Sequence, residues 1–224
     1  MNWISSACSF VSNALSGMGA ALSSFAKNMA PVINTICNEL PKVFQAVSQF
    51  ANALFIAMGI IKPHENVEVL GERALQAAEQ GITMDKYEDF DDYIDALRNF
   101  ELDPDKAEKR SSAEKLTAGI GLGTVLLENK LNLGSGSLNG IWLLPMTNPD
   151  YFTAEKVGAL LSEVKFNGDL STYFERRLSA GDTSRLESAL ANSKSVTNKD
   201  ELFDALDKAR DSWSELKSQL ANTR

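Results

Sequence analysis

Charge is scarce where this sequence begins. Residues 1–61 hold three charged side chains, Lys27, Glu39 and Lys42. That segment is +1, so the formal −8 of the whole chain leaves −9 for residues 62–224. A composition shift of this size marks two physically different regions, with the junction at Ile61-Lys62-Pro63-His64, where a proline stops the preceding pattern. A basic excess is missing as well: 22 Lys and Arg stand against 30 Asp and Glu. That balance excludes nucleic acid as a partner, because phosphate binding needs a basic surface, and it weighs against an anionic membrane leaflet.

Cysteine is nearly absent. Cys8 and Cys37 both fall in the apolar part, and two thiols do not make a disulfide framework, so reduced cysteines packed as small hydrophobes are expected. Histidine occurs once, at His64, which offers no metal set. No G-x-S-x-G turn follows a strand pattern. The residues therefore nominate no catalytic, cofactor-binding or metal-ligating group, and no cofactor. No Lys or Arg precedes Lys27 and position 2 is Asn rather than Gly. Both features speak against a signal peptide or a myristoyl anchor. Cytoplasmic synthesis is the expectation, with the final location, assembly or membrane, left open.

What is present is helical periodicity. Ile4, Cys8, Val11, Leu15, Met18, Leu22, Phe25 and Met29 are spaced alternately four and three apart. This is a heptad seam of coiled-coil type, and no strand repeats that way. Gly17 and Gly19 interrupt it, so they are either compensated by packing or mark a break. A second helix is expected from an Asn28 cap, with Pro31 in its first turn. It continues through Val43, Val47, Phe50, Leu54, Met58 and Ile61, split or kinked at Pro41. Its polar face is amide and hydroxyl: Gln45, Ser48, Gln49, Asn52.

The sequence thus predicts an all-α fold, an apolar N-terminal helical hairpin over 1–62 followed by an acidic multi-helix region. The acidic helices occupy 63–133, a flexible Gly/Ser linker 134–140, and a C-terminal helical bundle 141–224. Because a greasy, ion-poor hairpin is poorly suited to facing water, the expectation is a non-enzymatic structural protein, a homo-oligomer that self-assembles as a subunit of a particle, fibre or secretion-related assembly. The assembly interface would comprise Ile4, Cys8, Val11, Leu15, Met18, Leu22, Phe25, Val43, Val47, Phe50, Leu54 and Met58. The lipid bilayer is the alternative partner, since 43–61 is a charge-free run of 19 residues, although four polar side chains lie in its first half. A third reading, a helical hydrolase, has Glu155, Glu163, Glu175 and Glu187 as raw material but no spacing that singles out a pair.

Several motifs resolve blandly. The carboxylates Asp85, Glu88, Asp89, Asp91, Asp92 and Asp95 sit at helical spacing and read as a solvated face, with Thr83 as the cap of their helix. Asp103-Pro104-Asp105 fails as a calcium loop because Glu108 stands where glycine is required, and fits a helix N-terminus instead. Gly119, Gly121 and Gly123 lack a third phosphate-loop glycine, since Thr124 occupies that place, and point to close helix contact or an apolar turn. Ile141–Pro145 reads as a short extended segment. Trp142 and Trp213 are candidate partner contacts. Further helices are expected from Thr153 to a stop at Asn167-Gly168, from Asp169 to Gly181, from Asp182 or Thr183, and from Asn198 to the end.

Overall fold

The computed structural model describes residues 7–165 and 169–222. It is 74% helical, and no strand occurs among the described residues. The helices are α1 (Ala7–Met18), α2 (Ser23–Asn28), α3 (Ala30–Glu39), α4 (Pro41–Ala57), α5 (Val67–Glu79), α6 (Phe90–Asn99), α7 (Pro104–Glu108) and α8 (Ser112–Lys130). They continue with α9 (Leu143–Thr147), α10 (Ala154–Glu163), α11 (Asp169–Phe174), α12 (Ala180–Ala191) and α13 (Lys199–Asn222).

The architecture is organised around α8. Every residue from Leu116 to Glu128 is buried, so the middle of this helix has no solvent face. A helix that is apolar all round belongs inside, and here α1, α3, α4 and α5 surround it. The three alternate glycines explain how neighbours come so close. Gly119 meets Gly71 of α5: a β-carbon on Gly119 would stand 2.0 Å from the Val67 carbonyl, and one on Gly71 would stand 2.0 Å from that of Lys115. Gly121 leaves room for the Phe25 ring of α2, and Gly123 for the Phe55 ring of α4. Of the two roles the sequence allows, close helix contact is the one observed.

The apolar opening is four helices, not two. The first break is at Gly19, whose φ of +153° excludes most side chains. Beyond it a 3-10 turn, Ala20–Leu22, begins with the Ala20 N–H donating to both carboxylate oxygens of Asp85, at 3.1 and 2.9 Å. Capping from 65 residues away is invisible to local pattern. The second break is at Leu40, after which Pro41 occupies the first position of α4. Between α2 and α3 the chain passes through Met29, whose N–H donates to Phe25 and whose carbonyl accepts from Ile33, so the expected Asn28 cap is not needed.

Other boundaries shift for similar reasons. Thr83 precedes a 3-10 turn, Met84–Lys86, and the cap of α6 is Asp89, whose carboxylate accepts from the Asp91 N–H. Met84 is buried against Gly19, which draws the chain off a helical path. The cap of α12 is Ser179 rather than Asp182 or Thr183, and Gly181 lies inside its first turn. The stop expected at Asn167-Gly168 lies outside the described residues. By contrast, Asp103 and Thr153 cap α7 and α10 through their side chains as expected, and Asn66, which the sequence pattern did not single out, caps α5.

The region expected to be a flexible linker is a set of turns closed over a buried carboxylate. Glu128, near the end of α8, accepts from the N–H groups of Gly136 (3.1 Å) and Leu138 (2.9 Å). Gly136 has φ +83° and lies against Ser24, where a β-carbon would collide with the hydroxyl. Ile141–Pro145 is not extended: a 3-10 turn, Asn139–Trp142, runs into α9, and everything from Leu138 to Asn148 is buried. A segment enclosed on all sides has to pair its own backbone groups, and helix does this locally. The buried α9 joins the two halves, touching α4 on one side and α13 on the other, while α10 packs on α4. A continuous apolar core therefore runs from Val11 to Trp213.

Candidate interaction surface

The residues nominated for an assembly seam are mostly interior. Val11, Leu15, Met18, Leu22, Phe25, Val47, Phe50 and Leu54 are buried within the chain, while Val43 and Met58 are half-buried and packed on the same core. Ile4 and the side chain of Cys8 lie outside the described residues. The demand of these greasy helices for cover is met by α8 of the same molecule. The reason the sequence could not show this is that the partner, 116–127, lies about ninety residues downstream, and each half reads alike whether it meets its own chain or another. Among the described side chains of the seam, eight are buried and two half-buried.

The two tryptophans are interior too. Trp142 is fully buried, its Nε1 donating to Thr124 Oγ1 at 2.9 Å while that hydroxyl donates to the Ile120 carbonyl at 2.7 Å. The rings of Phe50 and Phe55 meet it edge-on at centroid distances of 5.8 and 5.6 Å. Trp213 is buried on α13, with the Lys217 ammonium 5.5 Å from its ring centroid.

Polar side chains converge in places the sequence did not single out. On α5, Glu72 is buried, pairs with Arg110, and accepts from Gln76 Nε2. Gln76 also exchanges hydrogen bonds with the backbone of Asp103, at 3.0 and 2.8 Å, tying the start of α7 to α5. In sequence these two belong to an ordinary polar row, Glu68-Glu72-Gln76-Gln80 at i, i+4, so nothing local set them apart as buried. Near the C-terminus Tyr173 donates to Glu187 at 2.8 Å beneath the Arg210 guanidinium, and burial raises its phenol. The four glutamates considered for hydrolysis do not pair. Glu163 binds Ser193 and the Lys194 N–H, Glu187 binds Tyr173, Glu175 binds Arg177, and Glu155 stands exposed at the start of α10. Among the described residues no three His, Cys, Asp or Glu side chains gather as a metal would require. Cys37 is a free buried thiol, pushed up to about 12 by burial and by the charge of Glu68, which removes thiolate chemistry at neutral pH.

What the N-terminal region does present to solvent is the back of α4. Gln45, Gln49, Ala53 and Ala57 are exposed along one stripe. The remaining amide and hydroxyl groups of this helix are taken up inside the fold: Ser48 donates to Glu68 at 3.0 Å, and Asn52 accepts from the Val67 N–H at 3.0 Å. Between Lys42 and Lys62 no residue carries a charge, and the stripe inherits that neutrality. No described helix is long and apolar enough to cross a membrane. Comparison of the chain with protein-family models, with curated proteins and with solved structures found no match.

Proposed function

We propose that this is a non-enzymatic structural or interaction protein that associates with further copies of itself, and that the meeting surface is the outer stripe of α4 rather than the heptad seam. The observation that carries the reading is an exposed helix face of about 18 Å from Gln45 to Ala57 bearing no ion, on a chain whose formal charge is −8. Copies of so acidic a molecule repel one another, and the centre of a protein interface is depleted of charged groups because burying them costs solvation. Gln45, Gln49, Ala53 and Ala57 are small or neutral, so two such faces can approach without stripping water from a charge.

Light scattering on the full chain tests this, at low and high salt and with the double variant Gln49→Glu/Ala53→Glu. The expected result is a multimer favoured by salt, which screens the acidic surfaces, and lost in the variant. A monomer at micromolar concentration under both conditions overturns self-association. A multimer that tolerates both glutamates overturns the assignment of this surface.

A further inference from the structure

A second feature lies on the opposite end of the charge scale. The loop joining α4 to α5, the outer side of α5 and the end of α6 enclose a cleft of about 370 Å³. Lys62, His64, Arg73 and Arg98 line it, with one carboxylate, Glu65, and with Asn66, Val69 and Leu70. In a chain with so large an acidic excess, four basic side chains around one concavity need a reason.

Their states of pairing differ. Arg98 is committed: its Nε and Nη2 hold the Glu65 carboxylate at 2.7 and 3.2 Å, and Nη1 holds Asp95 at 2.8 Å. Glu65 is committed in turn, accepting also from the Lys62 N–H at 2.7 Å, which ties the loop to α6. These groups form the wall. Arg73, in contrast, makes no ion pair among the described residues, and its Nε is buried without an acceptor, while the Lys62 ammonium makes no close ion pair and acts on Glu65 only through its charge. An unpaired guanidinium, half-buried in a cleft, is a site preset for an oxyanion. Beside it Val69 is 43% exposed, one of two large apolar side chains so placed among the described residues, and the buried Leu70 lies next to it.

We propose that this cleft binds a small amphiphilic oxyanion, with its carboxylate or phosphate held by Arg73 and Lys62 and a short apolar arm resting on Val69 and Leu70. The volume suits a compact molecule rather than a chain segment, near the lower end of ordinary ligand sites. This site is independent of the α4 stripe, so either can fail alone.

Calorimetric titration of the full chain with hexanoate, hexyl phosphate and hexyltrimethylammonium tests it. One of the two oxyanions is expected to bind at millimolar concentration or below, the tighter of them identifying the head group, while the cation does not bind. Arg73→Gln and Lys62→Gln should each weaken binding about tenfold, with unchanged helical circular dichroism. Lys62 is exposed on a loop, so its variant remains informative if the Arg73 variant fails to fold. Absence of binding by both oxyanions, equal binding of the cation, or undiminished affinity in the Lys62 variant would overturn the site.

Discussion

Replacing Gly119 by alanine adds one methyl group at the place where α5 and α8 touch backbone to backbone. The new carbon would stand 2.0 Å from the Val67 carbonyl oxygen and 2.7 Å from its Cγ1. A carbonyl in a helix cannot rotate away as a side chain does, so the two helices have to separate by about 1 Å along the contact. Overpacking of this kind costs about 3 kcal/mol where neither side yields. Alanine returns about 1 kcal/mol through its better helix propensity, leaving a net loss of about 2 kcal/mol. With a urea dependence of about 3 kcal/mol per molar for a chain of this size, the midpoint should fall by about 0.7 M. Gly71→Ala attacks the same crossing from the other helix, where its carbon would stand 2.0 Å from the Lys115 carbonyl. The double variant should lose less than the sum, because the helices part only once. Gly158→Ala is the control with the opposite sign: its nearest neighbours would be Leu54 Cδ1 at 3.6 Å and Met58 Sδ at 3.7 Å, ordinary contacts. It should gain up to about 1 kcal/mol from propensity alone. If Gly119→Ala proves as stable as Gly158→Ala in urea unfolding, the crossing is misplaced and with it the centre of the fold.

Two further outcomes rest on burial. Leu15 is fully enclosed by its own chain, so Leu15→Asp should destabilise the monomer by several kcal/mol through an unpaired buried charge. Were the seam an interface between molecules, the same variant would stay folded with an unchanged unfolding midpoint and lose only its partners. Glu128 supplies a pH signature. Burial raises its carboxyl against the smaller opposing pull of the Leu138 and Gly136 N–H groups, so the fold prefers it protonated. As pH climbs above the ordinary glutamate range, the unfolded chain ionises first and stability drains away until the folded carboxyl ionises as well. Glu65 and Glu79, held low by Arg98 and Lys106, act with the opposite sign. The test is therefore a difference: from about pH 4 to pH 7 the Glu128→Gln variant should gain stability relative to wild type, whatever its absolute level. Parallel pH profiles would show that Glu128 ionises in the fold as it does in water.

Much of the secondary structure was readable because its causes are local. Asp103-Pro104, Thr153 and Asn198 sit where their side chains reach the next free N–H groups, and the period of about 3.6 residues identifies helices at every long amphipathic run. The misreadings share a different cause. Gly19 breaks a helix because Met84 and Asp85 arrive from elsewhere. The loop at 134–140 is fixed because Glu128 and Ser24 seize it, although glycine and serine in isolation describe a flexible tether. Ile141–Pro145, apolar at every position, has no period from which helix and strand could be told apart. Nothing local shows what surrounds Arg73 either, since the charged residues that share its cleft come from a loop and from α6.

By itself, the order of residues determined three things about this protein: that it is helical, that its apolar opening segment demands cover from water, and that its ions are concentrated beyond Ile61. Composition and period carry those properties, and neither depends on where the chain goes next. Only the tertiary structure decided what provides the cover. The buried helix at 112–130 and the helices that enclose it are far apart in sequence, and their fit depends on the absence of β-carbons at Gly71, Gly119, Gly121 and Gly123. That is a matter of shape between distant segments, which a linear pattern does not encode, and it places most of the described seam side chains inside the molecule.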